Sequence, residues 1–367
     1  MSAPMMASAA LSARSENELR DDRGSGEPEQ ARPRDDEQRG GHAEQHGGGD
    51  DSADHDSASL SRRPDGIART PHRLSQPAPP TINPMPRGPI DLHTHSSVSD
   101  GTETPTQLIR AAVEAGLDTI AITDHDSTAG WDEALTAAQG TGIQIIRGME
   151  LSTRYEWRSV HVLGYLFDPN DGELVAETAH IRADRLGRAE RMVTNIARDY
   201  DVSWDDVLAQ SGGDSIGRPH IADALVARGI VRTRSEAFAS ILHFTGGYYL
   251  PHEAPTVLDG VRMITEAGGA AVLAHPATRG REAVVDDRGM AVLVEAGLVG
   301  LEVGHRENTP DGRARLRELA AQFDLVVTGS SDYHGEGKPN RLAENTTEPE
   351  ALERLIARTR GVPPLRA

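Results

Sequence analysis

Seven short runs of apolar and β-branched residues alternate with stretches rich in Ala, Leu, Glu and Arg from residue 89 onward. Such alternation predicts an α/β fold in which βα units surround a parallel sheet. The predicted strands are 90–95, 118–125, 143–151, 159–167, 270–276, 299–305 and 325–334. The predicted helices between them include 104–116, 130–139, 256–268 and 310–322, and two of these four begin with Thr-Pro, a common helix start.

A longer block, residues 172–255, separates the fourth predicted strand from the fifth. Its helical segments are 173–200, 203–212, 218–229 and 234–244. This block predicts a helical subdomain inserted into a barrel formed by 88–171 and 256–367. The first segment carries arginines interleaved with acidic residues, which predicts a solvated face. Arginines turned toward the cleft would instead favour an oligonucleotide over a mononucleotide.

Residues 1–87 are rich in Gly, Ser, Pro and charged residues and have almost no apolar periodicity. Such a segment cannot bury enough apolar area to offset its ordering entropy, so we expect a disordered tail. Its histidines are irregularly spaced, which favours a solvated tail over a metal-binding tract; they are His42, His46, His55 and His72. Met85 lies just before the first predicted strand, so translation from Met85 is a further hypothesis.

Composition narrows the possible functions. The net charge is 38 − 57 = −19, which argues against coating long nucleic acid, because that task requires a basic surface. The chain has no cysteine, which excludes disulfide scaffolds, thiolate zinc sites, iron–sulfur clusters and cysteine nucleophiles. Lys338 is its only lysine. The segment GEGKPNR resembles an exposed loop, so a lysine Schiff-base mechanism is not expected.

No run approaches the apolar length of a membrane span, and the N-terminal segment has no basic stretch ahead of a sustained apolar one. We therefore expect a soluble, cytoplasmic protein.

Histidines and carboxylates cluster at one kind of position, the carboxyl ends of the predicted strands. In a βα barrel this edge carries the active site, because every βα loop opens onto it. Residues i and i+2 of a strand face the same way, so His93 with His95 and Asp332 with His334 are predicted pairs. The candidate metal ligands are His93, His95, Asp100, His125, Glu150, His161, His275, Asp332 and His334. Imidazole and carboxylate suit Zn²⁺, Mn²⁺ or Fe²⁺, and nine ligands predict two or three ions.

The motif series resembles the PHP family, named for polymerase and histidinol phosphatase. It comprises HxH followed by SDG, then TDHD, GxE, a strand histidine, AHP and SDxH, in order over residues 88–365. The resemblance implies a distorted (β/α)7 TIM-like barrel. Members with a long helical insertion and a GRPHIA segment look like nucleotide phosphoesterases: phosphatases of nucleoside 3′,5′-bisphosphates or mononucleotides, and 5′→3′ exonucleases of short RNA.

The resemblance also implies three metal positions. One set is His93, His95, Glu150 and Asp332. A second is Asp100, His125 and His334. A third is Glu150, His161 and His275, with Glu150 bridging. Many relatives carry histidine where this chain has Asp100, and an oxygen ligand there favours a harder ion such as Mn²⁺.

The mechanistic hypothesis is attack on phosphorus by a hydroxide that bridges two ions about 4 Å apart. Asp100, His220 and His305 are the predicted catalytic residues, with His220 or His305 as the leaving-group acid. Arg218, His220 and Asn308 are predicted to contact substrate. The alternatives are that Arg218 and His220 cap and solvate the insertion, and that Asn308 or Thr309 caps a helix.

The leading function is therefore a metal-dependent phosphatase of nucleotides, with a small nucleotide or short oligoribonucleotide as partner and no membrane or long duplex. Three alternatives stay open: a 5′→3′ exoribonuclease on short 5′-phosphorylated RNA, a non-catalytic metal-binding module, and a metal-dependent amidohydrolase. The non-catalytic module would be marked by missing metal ligands. Amidohydrolases usually have eight strands and a coordinating lysine.

Overall fold

The computed structural model describes residues 88–156, 158–211, 215–251, 253–278 and 285–366. The predicted tail, its histidines and Met85 lie outside the described residues. Within the described part of the chain, no helix is long and apolar enough to cross a membrane.

Eight strands in the described part of the chain form one sheet, in the order β1 to β7, with β8 paired to β3. They are β1 (Ile90–Asp91), β2 (Thr119–Ile122), β3 (Gln144–Tyr155), β4 (Arg158–Tyr165), β5 (Ala270–Leu273), β6 (Leu298–Gly304), β7 (Val326–Gly329) and β8 (Leu365–Arg366). The first and last strands of this order approach each other just beyond their ends. Thr94 bridges Tyr333, and the His95 N–H donates to the Tyr333 carbonyl at 2.9 Å. The sheet is therefore nearly closed into a barrel.

The prediction of an entirely parallel sheet is wrong at β4. This strand is antiparallel to both β3 and β5. Only Glu156 and Trp157 lie between β3 and β4, which is too short for the crossover that a parallel pair requires. The reversal turns the start of β4 toward the rim that the carboxyl ends of the parallel strands share.

Several strands end earlier than predicted. β1 ends at Asp91 rather than at residue 95, and β7 ends at Gly329 rather than at residue 334. The polar residues that follow leave the regular sheet and enter the barrel mouth. The pairs at i and i+2 are thus held by loop contacts such as the Thr94–Tyr333 bridge.

Ten helices accompany the described strands. They are α1 (Pro105–Glu114), α2 (Trp131–Ala138), α3 (Gly172–Ile196), α4 (Trp204–Leu208), α5 (Arg218–Ala227), α6 (Arg234–Ala239), α7 (Val257–Glu266), α8 (Asp287–Glu295), α9 (Pro310–Gln322) and α10 (Pro349–Ile356). Thr104 and Thr309 cap the two helices predicted to begin with Thr-Pro. The helices α8 and α10 were not among the predicted segments.

The barrel and the insertion have separate apolar clusters. Inside the barrel, Ile146, Leu163 and Val272 pack together, while Ile145 faces the cluster beneath the outer helices. This difference between adjacent residues of β3 follows from the two-residue period of a strand. In the insertion, α3 to α6 enclose a cluster that we call the insertion core. Its members include Met192, Ile196, Val207, Ile221, Leu225 and Leu242.

Candidate metal centre

The nine candidate metal ligands lie together at the mouth of the barrel, and we call them the rim cluster. His125 follows β2 and pairs with Glu150 of β3 in an isolated bridge. His161 reaches the same place because β4 runs in the opposite direction. Seven members are buried, while the side chains of His161 and His275 are 23% and 21% exposed. The cluster is thus a deep site with one partly open side.

Glu150 lies at the centre of the rim cluster. Oε1 is 2.7 Å from His161 Nδ1 and 3.0 Å from His275 Nε2. Oε2 is 3.2 Å from His93 Nε2, 3.1 Å from His95 Nε2 and 3.2 Å from His125 Nδ1. A carboxylate offers about four lone-pair directions, so five imidazole nitrogens exceed what hydrogen bonding to it alone would use. Glu150 is a carboxylate that belongs to more than one donor group and could bridge cations.

His93 and His95 face each other through their Nε2 atoms at 3.0 Å. Both atoms also approach Asp332 Oδ1, at 3.5 and 3.4 Å. With Glu150 they form a group whose ligand atoms all lie within 4.8 Å of one another. Four donors of this kind can surround one divalent ion.

Asp100 is the centre of a second group. His334 Nε2 is 3.1 Å from its Oδ1, and His125 Nε2 is 3.9 Å from its Oδ2. His95 completes this group through Nδ1, 3.6 Å from Oδ1. Further groups of three combine His125, Glu150 and His161, and His93, His275 and Glu302.

Two members of the rim cluster have left-handed backbone conformations. The φ angle is +30° at His275 and +54° at Asp332. Such conformations cost non-glycine residues about 1–3 kcal/mol and persist where the surrounding structure enforces them. The fold therefore uses local strain to aim these two side chains into the barrel mouth.

The carboxylates of the rim cluster stay ionised despite their burial. Burial by itself raises the pKa of Asp100, but His334 and His125 outweigh it and hold that pKa well below its ordinary value. The pKa of Glu150 is likewise held well below its ordinary range, because the attraction of His125 and His161 exceeds the effect of burial. The cluster therefore presents anionic oxygens to any cation that enters.

The imidazoles respond to these carboxylates. Burial lowers the pKa of His95, but Asp332 and Glu150 raise it to about 9. At His125, burial dominates and lowers the pKa well below its ordinary range. A divalent ion would displace the protons held by imidazoles whose pKa is raised, as at His95. We therefore expect metal binding to release protons.

Unsatisfied polar atoms test whether these residues fit metal ions. Asp100 Oδ1, His125 Nδ1 and His334 Nε2 are buried and make no hydrogen bond of good geometry with the described residues. Buried polar groups normally have partners, and these three atoms belong to groups spaced for metal binding. The donor set is entirely imidazole and carboxylate, which suits divalent ions. The rim cluster therefore fits resident cations.

The sequence analysis missed two buried carboxylates that support the cluster. Glu302 of β6 accepts from His93 Nδ1 at 3.0 Å and from the His275 N–H at 2.7 Å. Asp91 accepts the backbone N–H groups of Ser331 and Ala343 at 3.0 and 3.1 Å. Both are carboxylates in otherwise apolar strands, VGLEVG and ID, and that was the available signal. They orient ligands of the rim cluster, as outer partners of metal sites do.

His305 lies beside the rim cluster, as predicted for a residue bordering the rim. It is fully buried, and its Nε2 is 3.3 Å from Asp332 Oδ2. The Glu307 N–H donates to its Nδ1 at 3.1 Å. This contact places the mobile proton of the neutral ring on Nε2, facing Asp332.

Asn308, a predicted substrate contact, is engaged with the backbone in this structure. Its Nδ2 donates to the backbone carbonyls of Glu302 and Val303, and its Oδ1 accepts the Ala277 N–H at 3.0 Å. The side chain is buried and its amide is used by backbone groups. Thr309, rather than Asn308, caps α9.

The insertion brings α5 next to the Asp100 loop. His220 is buried, and its Nδ1 accepts the Gly217 N–H at 3.2 Å, which supports the capping interpretation. Burial lowers the pKa of His220, and nearby Asp100 opposes this only in part. The guanidinium carbon of Arg218 lies 5.4 Å from the ring centres of both Phe238 and Tyr249.

The solvated face predicted for α3 is wrong at three arginines. Arg188 is 6% exposed and lies over the Tyr249 ring. Arg185 pairs with Asp126 at 3.1 Å, and Arg182 donates to the Asp126 carbonyl. Arg182 and Arg185 lie on the helix face that packs on the barrel, whereas Arg188 contacts Tyr249 and Leu250 within the insertion. The direction of these arginine side chains depends on how the insertion docks. The interleaved charges of the sequence do not reveal it.

Lys338 also departs from the prediction of an exposed loop residue. Its side chain is 35% exposed, and Nζ donates to Asp332 Oδ2 at 2.7 Å. Burial alone would lower the pKa of Lys338, but Asp332 and Asp100 raise it above its ordinary value. The single lysine of the chain therefore bears its charge against the rim cluster.

Comparison with known proteins agrees with this geometry. Residues 91–227 match the PHP domain. The chain is 33% identical over 276 residues to the 3′,5′-nucleoside bisphosphate phosphatase of Chromobacterium violaceum, covering 73% of this chain and 95% of the relative. It is 32% identical over 251 residues to a 5′-3′ exoribonuclease of Haemophilus influenzae, covering 66% of this chain and 89% of the relative.

A crystal structure from Bifidobacterium adolescentis, of a proposed metal-dependent phosphoesterase, superposes with a TM-score of 0.72 at 43% identity. The match covers 75% of this chain and 98% of that one. A nearly closed barrel with a deep histidine and carboxylate cluster at its mouth is that of a metal-dependent phosphoesterase, a hydrolase of phosphate ester bonds. The chain belongs to the PHP family.

Proposed function

We propose that this protein is a phosphatase that removes a phosphate from a nucleoside 3′,5′-bisphosphate or a mononucleotide. The observation that supports this most is the sharing of Glu150 between donor groups, with five imidazole nitrogens within 3.2 Å of its two oxygens. Donor groups that share a carboxylate would hold neighbouring ions, which is the arrangement that many enzymes of phosphoryl chemistry use. The match to the phosphatase of Chromobacterium violaceum spans 95% of that protein. This similarity supports the same substrate class.

We assign the rim cluster to two or three ions. Glu150 with His93, His95 and Asp332 forms the first group, and Asp100 with His125 and His334 the second. His161 and His275 join Glu150 in the third. The carboxylate of Asp100 supports Mn²⁺ as the first ion to test, because oxygen ligands favour harder cations. We retain 88–171 with 256–367 as the barrel and 172–255 as the insertion, and we propose a cytoplasmic location.

The bound ions would supply an activated water and neutralise charge on the phosphoryl oxygens. The chain's own residues do the rest. Asp100 and Glu150 would hold the ions together with their neighbouring imidazoles, and Glu302 fixes the His93 ring and the His275 backbone. No protein nucleophile is needed, in keeping with the absence of cysteine from the chain.

We assign the leaving-group proton to His305 rather than to His220. Nε2 of His305 lies 3.3 Å from Asp332 Oδ2, within the cluster, and the ring would act as the acid in its imidazolium form, which gives up the contact between Nδ1 and the Glu307 N–H. His220 uses Nδ1 to cap α5, and its lowered pKa makes it a weak proton carrier near neutral pH. His220 therefore acts by fixing the insertion against the Asp100 loop.

The second candidate function is 5′→3′ exoribonuclease activity on short 5′-phosphorylated RNA. It is favoured by the arginines of α3 that turn toward the barrel, Arg182 and Arg185 being partly exposed. Cations beside the mouth can hold the phosphates of a following nucleotide. The match to the exoribonuclease of Haemophilus influenzae, which spans 89% of that protein, also supports this candidate.

A product assay distinguishes the candidates. Protein loaded with Mn²⁺ receives a nucleoside 3′,5′-bisphosphate, a nucleoside 5′-monophosphate or a short 5′-phosphorylated RNA, and the products are separated by chromatography. Inorganic phosphate released from a mononucleotide supports the phosphatase, whereas stepwise 5′-mononucleotides from RNA support the exonuclease. Bound metal with no turnover of any of the three would overturn both and favour another phosphoester substrate or the non-catalytic module.

A further inference from the structure

The surroundings of Lys338 combine a fixed charge with unused hydrogen-bonding capacity. Asp332 divides its two oxygens between different neighbours. Oδ1 faces His93 and His95 within the donor group, whereas Oδ2 receives Lys338 Nζ at 2.7 Å and His305 Nε2 at 3.3 Å. Lys338 is the one non-histidine cation within 4 Å of a rim-cluster carboxylate among the residues that the structure describes.

An ammonium group has three hydrogens to donate. One of them is used by Asp332, and the described residues offer no acceptor for the other two. The side chain is 35% exposed, so these hydrogens face accessible space beside the cluster. An oxyanion arriving at the cluster from that side would find two free donors on a positive charge.

The loop that carries Lys338 is held by contacts on both sides. The Glu336 N–H donates to Thr102 Oγ1 at 2.9 Å, and Asn340 Nδ2 donates to the Ser331 carbonyl at 2.7 Å. The Arg234 guanidinium lies against Gly337, where a Cβ would have to displace it. The ammonium is therefore presented by a fixed loop and not by a freely moving surface chain.

We propose that Lys338 binds the phosphate group of the substrate, its ammonium donating to a phosphoryl oxygen while Asp332 holds it in place. This inference rests on the proposed function. It makes Lys338 a specificity-determining residue: a terminal phosphate, with more negative charge, gains more from the ammonium than an internal diester does.

The first test uses the fact that the chain has one lysine. Pyridoxal 5′-phosphate followed by borohydride attaches a phosphate-bearing group to accessible lysines, and the tryptic peptide 318–341 reports on Lys338 alone. Because the raised pKa of Lys338 keeps its amine protonated, we expect slow labelling of the Mn²⁺-loaded protein that rises with pH. Inorganic phosphate should slow this labelling at least 10-fold further. Equal labelling with and without saturating phosphate would overturn the proposal.

The second test compares variants. Lys338→Met removes the charge and keeps the side-chain length, and we expect it to weaken inhibition by inorganic phosphate about 10- to 100-fold, the range of a charged hydrogen bond. Lys338→Arg should restore part of that loss. The matched control is Arg341→Met, which removes one positive charge from an exposed position of the same segment; phosphate inhibition should then change less than about twofold, as for other surface sites.

Metal content, measured by mass spectrometry of the bound elements, separates phosphate binding from a role in holding Asp332. We expect Lys338→Met to keep the metal stoichiometry of the wild type. If Lys338→Met lost bound metal but the metal sites still occupied bound phosphate as in the wild type, the proposal would be overturned. If no nucleotide is hydrolysed, labelling and direct phosphate binding by calorimetry still decide the role of Lys338, so failure of the proposed function would be recognised separately.

Discussion

The rim cluster and the insertion core are both buried, yet they are stabilised in opposite ways. The insertion core consists of apolar side chains such as Ile221 and Leu225, which gain free energy simply by leaving water. The rim cluster buries carboxylates and imidazoles whose desolvation must be offset by their mutual attraction or by bound cations. The insertion core therefore stabilises the folded protein. The rim cluster costs free energy of folding and holds charged groups in place for chemistry.

The strongest test of this difference is to remove a rim-cluster carboxylate. We expect Asp332→Asn to lower phosphate release more than about 100-fold, beyond what loss of an outer partner of a metal site costs. The metal-free protein should also lose stability, because Lys338 and the neighbouring imidazoles lose the carboxylate that offsets their desolvation. Activity, bound metal and urea unfolding with a chelator present are the measurements. Normal metal content in this variant would contradict the comparison.

The converse test is a cavity in the insertion core. Ile221 is fully buried there, so Ile221→Ala should lower the free energy of unfolding by about 2–5 kcal/mol. Metal stoichiometry should stay that of the wild type, because the side chain does not belong to the rim cluster. Urea unfolding and metal analysis check both statements. Val292→Ala, at a 42% exposed apolar position of α8, is the control and should cost much less.

A third prediction concerns the carboxylate behind the ligands. Glu302→Gln keeps the size of the side chain but removes the charge that faces His93 and the second strong acceptor that serves His275. We expect metal affinity to fall about 10- to 100-fold, as measured by competition with a fluorescent chelator. Glu307→Gln, at an exposed position of the following loop, should leave affinity unchanged. Equal effects of the two substitutions would show that general charge, not orientation of His93, is responsible.

The smallest predicted effect lies at the contact between the two regions. Burial lowers the pKa of His220 in the folded protein, so below about pH 6.5, its ordinary pKa, the unfolded chain binds more protons. Stability contributed by neutral His220 is therefore lost as the pH falls from 7 to 5. His220→Asn can accept the Gly217 N–H but does not titrate, so its stability should fall less over that range.

Urea unfolding at pH 7 and pH 5 measures this difference. His180→Asn is the matched control, because His180 is a 58% exposed histidine on α3 and its replacement should leave the pH dependence of the wild type. Parallel curves for the wild type and His220→Asn would refute the prediction.

The same contrast explains what could be predicted from the sequence. The rim cluster follows motifs, because HxH, GxE and SDxH each follow or end a strand whose carboxyl end opens onto the barrel mouth. The four helices of the insertion followed their periodicity. In both cases the signal is local, since a strand end or an amphipathic face is encoded within about ten residues.

The errors concern features that depend on distant partners. The direction of β4 depends on the short link after Tyr155, and the direction of Arg185 depends on where α3 docks against Asp126. Lys338 resembled a loop residue because its pairing with Asp332 depends on the turn after His334, to which Thr102 contributes a contact with the Glu336 N–H. Glu302 was visible as a charge in an apolar strand, but its partner His93 lies 209 residues away.

The position of Glu150 has a consequence for how the centre fills. Since one carboxylate belongs to more than one donor group, an ion that draws on its Oε2 changes the charge and orientation that Oε1 offers to the next. Thermodynamic linkage requires this influence to be equal in both directions. Titration with Mn²⁺ should therefore give a cooperative or stepwise isotherm, not that of independent sites, and partial loading would leave the enzyme in discrete states of different activity.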